Sequence, residues 1–221
     1  MRWKAILTAM AMTAGAVYLS ELPAAVPKPR AIPQAWQLDF AYLDLQAIRL
    51  KLPGQDKPQT FWYMRYTVTN RTGEDQFLVP DISLYTDTGD LRPSGRDVPR
   101  AVFEHVKTLH NDPLLRAPAG MIGKLLQGED NTKHGVGYWP DFDGESEIVD
   151  IFIGGLSGEN VQVPLPKPLE IKVKLPKGEE KVITKTTITL SKTLQLRYKV
   201  SGGEARYLNP PTLVSAAWVM R

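Results

Sequence analysis

A period of two in the apolar residues constrains this chain most. Leu169, Ile171, Val173 and Leu175 alternate without a fault with Glu170, Lys172 and Lys174. Trp62, Met64, Tyr66 and Val68 alternate with Phe61, Tyr63, Arg65 and Thr67. Near the C-terminus Leu194, Leu196, Tyr198 and Val200 interleave with Gln195, Arg197 and Lys199. Successive side chains of a strand point to opposite faces, so this pattern, rich in β-branched and aromatic residues, predicts half-buried strands. Further strands are predicted within 38–52, over 77–85, 133–139, 182–190 and 213–220, and over 147–153 with Val149, Ile151 and Ile153 inward. Turns punctuate them at Pro53-Gly54, at Asn70-Arg71-Thr72-Gly73, near Gly89 and at Pro176-Lys177-Gly178. Pro80 interrupts the 77–85 stretch and suits an edge strand or a bulge. Many short strands, each with one apolar face, mean an antiparallel sandwich or barrel.

The middle of the chain breaks the pattern. Asp97 is placed to cap, Pro99 suits a first helical turn, and Val102, Val106 and Leu109 fall at helical spacing. The spacing predicts a helix over about 98–110 and a helical insertion spanning 98–126 in an otherwise β domain.

The N-terminal end reads as a targeting segment. Arg2 and Lys4 precede an uncharged, apolar run from Ala5 to Ser20, and Ala14-Gly15-Ala16 offers a cleavage site, with Pro23-Ala24-Ala25 a poorer one. Residues 1–25 are expected to be a signal peptide or an uncleaved N-terminal anchor. Pro27, Pro29 and Pro33 make 26–35 a stiff linker, and 36–221 is the folded domain. The chain has no cysteine, which removes disulfides, thiolate nucleophiles and lipidation at cysteine together. Export permits disulfides without requiring them.

The stretch Trp62-Tyr63-Met64-Arg65-Tyr66-Thr67-Val68-Thr69-Asn70-Arg71-Thr72-Gly73, then Phe77, then Leu84-Tyr85-Thr86-Asp87-Thr88-Gly89, carries a resemblance. With Leu125–Asn131 and Phe152–Glu159 it resembles the immunoglobulin-like domains of exported bacterial proteins of unknown function, over roughly residues 36–160. The resemblance implies a mainly β fold: an antiparallel immunoglobulin-like β-sandwich, here with a short helical insertion around 98–110. It implies no reaction, because function lives in sites rather than in scaffolds.

Candidate chemistry is sparse. His105 and His110 stand five apart, which does not put them on one helical face for a metal, and His134 is isolated in sequence. Ser157, in Gly155-Leu156-Ser157-Gly158, lacks the spacing of a nucleophile elbow, and no phosphate-cradling glycine motif is present. Acids crowd residues 129–159, and Asp141-Phe142-Asp143-Gly144-Glu145 is the best cation candidate. Oxygen donors of this kind suit Ca²⁺, although the glycine falls at the fourth place of the loop rather than the sixth. Solvated turn acids are the simpler reading.

A basic β-hairpin over 167–199 balances the acids. It holds nine Lys and Arg against three Glu. Lys172, Lys174, Lys181 and Lys185 are candidates for a face that meets an anionic partner. Alternation should put Leu169, Ile171, Val173 and Leu175 toward the core, with Lys172 and Lys174 toward solvent. Trp62, Tyr63, Tyr66, Trp139 and Trp218 read as core aromatics rather than a carbohydrate platform. No aromatic stripe accompanies the lysines, so nucleic acid is not an expected partner.

The sequence is thus read as an exported, periplasmic or envelope-associated module that binds or builds rather than catalyses. Its expected partner is an envelope protein or an anionic envelope polymer, with membrane contact only through an uncleaved N-terminus. The alternative is a hydrolase or carbohydrate-active accessory protein working with carboxylates near 129–150.

Overall fold

The computed structural model describes residues 26–31, 35–174 and 180–221. The expected targeting segment, Leu175 and the 176–178 turn lie outside them. The fold is mainly β, with antiparallel sheets.

The first sheet is built on β3 (Gln59–Asn70). On one side it pairs in tandem with β1 (Asp39–Tyr42) and β2 (Gln46–Leu50). On the other side it pairs with β9 (Gly128–Pro140), whose far edge takes the two-residue β7 (Leu115–Arg116), the one parallel pairing among named strands. In the second sheet β10 (Ile148–Gly154) lies between β5 (Asp81–Thr86) and the end of β12 (Glu180–Lys199), with β6 (Leu91–Pro93) beyond β5. The long β12 also pairs with β13 (Thr212–Met220) and with β11 (Asn160–Lys174). A separate ribbon joins β4 (Gln76–Leu78) to β8 (Gly123–Leu125).

The two sheets share one core. Trp62, Met64, Tyr66 and Val68 of β3 cluster with Ile82 and Leu84 of β5, Val149, Ile151 and Ile153 of β10, and Leu194, Leu196 and Tyr198 of β12. Each set sits on one face of its strand, as the alternation predicts. The other face of β3 is covered too. Helix α1 (Arg100–Leu109) packs Val102, Phe103 and Val106 against Phe61 and Tyr63. Trp62 and Trp139 are fully buried, and Trp218 packs partly buried against the same core. Glycine makes the close packing of β9 possible, because a Cβ at Gly135 would lie 2.4 Å from the ring of Tyr66.

Three local expectations change. Asp97 does not cap α1; it sits at φ 57°, Pro99 occupies the N-cap, and no side chain caps it. Leu109, the last residue of α1, is 54% exposed, and Phe103 supplies the apolar contact instead. Pro80 does not bulge a single strand. It lies between β4 and β5, which belong to different sheets. Proline has no N–H to give a ladder and cannot continue a central strand.

The largest correction concerns the basic hairpin. Leu169, Ile171 and Val173 do share a face, opposite Lys185, Ile183 and Lys181 in the register of β12. That face meets no core. Leu169 is 50% exposed, and Ile171 and Val173 are half-buried. Val182, Ile188 and Lys172 on the opposite face are exposed as well. From Glu180 to Leu190, β12 has only β11 as a partner, so the pair projects as a two-stranded arm. An isolated two-stranded ribbon is marginal in water. This one is held because β12 continues into the sheet between β10 and β13.

Candidate functional site

Several acids of 129–159 are engaged by side chains from different parts of the fold. Asp141 follows β9 and ties three elements together. Its Oδ1 accepts the indole N–H of Trp62 at 2.8 Å, and its Oδ2 accepts the Tyr207 hydroxyl at 2.5 Å. The Arg206 guanidinium approaches to 3.5 Å. Asp143 accepts the Glu145 amide at 3.0 Å, and its carbonyl accepts Arg206 Nη1 at 2.7 Å. Glu145 is exposed. Asp150 takes Arg197 in a two-pronged pair at 2.8 Å, Glu159 takes Lys192 at 3.1 Å, and Glu129 takes Arg71. Among the described residues no group of three or more His, Cys, Asp or Glu could hold a metal ion.

Arg206 is the unexpected member of this region. It is 1% exposed, with its guanidinium carbon 4.2 Å from the Phe142 ring centroid and 5.4 Å from that of Trp62. Its Nε and Nη2 have no hydrogen-bond partner. Aromatic faces and the Asp141 carboxylate compensate its charge. The hydrogen bond to Asp141, then burial, pushes the Tyr207 hydroxyl above its ordinary range. Arg206 lies in the 3₁₀ turn Gly203–Tyr207, and its sequence gave no sign of burial.

The four candidate lysines divide between the two faces of the arm. Lys172 stands opposite Val182 and Lys174 opposite Glu180, whereas Lys181 stands opposite Val173 and Lys185 opposite Leu169. Cross-strand partners share a face. The arm is therefore basic on both sides, with Lys172 on one face and Lys185 on the other, beside the apolar stripe. Lys172 and Lys185 are exposed.

Sequence reasoning missed a cleft on the helix-covered side of the first sheet. It encloses about 260 Å³ and is lined by Ala41, Tyr42, Leu43, Arg65, Thr67, Asp112, Leu115 and His134, among others. The gap between β1 and β2 opens it, β3 supplies Arg65 and Thr67, and the β3–β9 register sets His134 beside Thr67. His134 Nδ1 lies 3.0 Å from Asp112 Oδ2, and the Asp112 carboxylate also accepts the Leu114 amide at 3.0 Å. Burial raises the Asp112 carboxyl, but the bonds from His134 and Leu114 and the charge of Arg65 outweigh it and hold the group below its ordinary value. Nearby, the Tyr63 hydroxyl donates to Gln46 at 2.5 Å and sits 2.9 Å from His110 Nε2. Burial, reinforced by Arg65, keeps His110 below the usual imidazole value.

Two of the three histidines thus meet acids or phenols beside one cleft, while His105 is exposed on α1. The remaining turn motifs are structural. The Ser157 hydroxyl donates to the Trp36 carbonyl, and buried Asn70 donates to the carbonyls of Glu74 and Leu125. Among the described residues no helix is long and apolar enough to cross a membrane. No protein-family model, curated protein or solved structure matches the chain.

Proposed function

We propose that the chain is an exported, non-catalytic binding or structural module of the cell envelope, attached to an envelope protein or an anionic envelope polymer through the β11–β12 arm. One observation carries this reading. The arm projects with Leu169, Val182, Ile183 and Ile188 exposed, and with lysines on both faces. Apolar side chains left in water on a ribbon have no role in the core, and lysine flanks favour an anionic partner. An immunoglobulin-like sandwich is the finer reading of the fold. Two antiparallel sheets around one core support it, and α1 with the short helix Pro118–Met121 is then an insertion.

The test is attachment of the full chain to envelope fractions. Binding should weaken steeply with salt, because exposed charges are screened over about 8 Å at physiological ionic strength. Lys172→Gln with Lys185→Gln should reduce attachment and leave the melting temperature unchanged. Normal attachment of that variant would sink the arm reading. Export is tested by mass spectrometry of the native protein, which should begin between about Val17 and Val26. An intact Met1 in a cytosolic fraction would remove it.

A further inference from the structure

The cleft contains a guanidinium with no direct bonding partner among the described residues, although the Asp112 carboxylate feels its charge. Arg65 lines it, half-buried, and makes no ion pair and no side-chain hydrogen bond among the described residues. Its neighbours are paired with one another: Tyr63 with Gln46 and His110, and Asp112 with His134 and the Leu114 amide. Asp112 is thus committed to the wall, and Arg65 lines the cleft beside it without a direct partner among the described residues. Ala41, Leu43 and Leu115 provide apolar surface beside it, and Thr67 a hydroxyl.

We propose that this cleft binds a small organic anion, with its carboxylate paired to Arg65 and its apolar body against Leu43 and Leu115. A guanidinium fork matches a carboxylate in geometry as well as charge, and the pairing strengthens where water is partly excluded. At about 260 Å³ the space admits roughly nine non-hydrogen atoms, judged against a water share of about 30 Å³. A cation has no such seat, since the carboxylate in the wall already holds an imidazole. The site is separate from the arm, so the proposal stands or falls independently of envelope attachment.

The experiment titrates the ¹⁵N-labelled full chain with hexanoate, hexanol and hexylamine, followed by amide chemical shifts. Hexanoate should shift Thr67, Leu115 and His134 saturably, hexanol far less, and hexylamine not at all. Arg65→Gln should weaken hexanoate roughly tenfold or more, as losing a charge-assisted bond implies. Its melting temperature should stay near that of the parent. Ala41→Trp, at an exposed lining position, should block hexanoate with Arg65 intact. Hexylamine binding as well as hexanoate, no saturable shift, or hexanoate binding unchanged in both variants would overturn the proposal. So would shifts confined to residues around Lys172 and Lys185, which mark adventitious binding to surface lysines.

Discussion

Strand β10 and the β11–β12 arm have the same kind of sequence and opposite fates. Val149, Ile151 and Ile153 alternate as regularly as Leu169, Ile171 and Val173. Ile151 is fully buried, whereas Leu169 is half in water. The difference lies in what stands opposite. β10 runs between β5 and β12 and faces the Trp62–Met64 side of the first sheet. The arm has left the sheet, and nothing described lies over either face. Periodicity therefore tells which side chains travel together, and burial is decided by a second layer from elsewhere in the chain.

The sharpest way to break this comparison is to place a charge in each region. Ile151→Asp should cost more than about 4 kcal/mol, since it puts an unpaired carboxylate in the shared core. The expected outcome in a urea melt is a chain unfolded or nearly so. A folded Ile151→Asp would mean that the two sheets do not enclose a dry core.

Next in size is the buried guanidinium. Asp141→Ala should destabilise by about 3 kcal/mol, because it strands Arg206 among aromatic rings. Arg206→Met should be much milder, since it removes the charge and keeps an apolar side chain in its place. Equal losses in the two variants would show that Asp141 acts through Trp62 and Tyr207 and not by answering Arg206.

Acid should act first on the helix-covered side of the first sheet, through His110. His110 titrates in the fold below its ordinary 6.5, and Asp112 below its ordinary 3.8. Both folded states bind fewer protons than the unfolded chain at those pH values. Their contribution is complete above each ordinary value and is lost as pH falls through the depressed one. The melting temperature should therefore begin to drop below about pH 6.5 and drop again below about pH 4. His110→Gln should flatten the first step and leave the second. An unaltered profile in that variant would remove His110 from the account.

The smallest effect is expected in the arm itself. Ile171→Asp should change stability by less than about 1 kcal/mol, in line with substitutions away from a packed core. It should instead impair attachment to envelope fractions. A large loss of stability would mean that the arm folds back onto a surface it does not touch in this structure.

The sequence by itself determined most of the strands and their faces. The 62/64/66/68 set, the 149/151/153 set and the 194/196/198 set were all legible, because period two is a local property of backbone geometry. The helix near 100–109 and the turn at Asn70–Gly73 were legible for the same reason. Only the tertiary structure decided which faces were covered. It sent the two sides of Pro80 into different sheets, left the arm in solvent, and buried Arg206, a residue with no local mark of burial. It also built the cleft, whose Arg65, Asp112 and His134 come from three distant segments. No spacing along the chain encodes that meeting. It follows from the β3–β9 register and from the path of the loop after α1, and both are set by long-range pairing and packing.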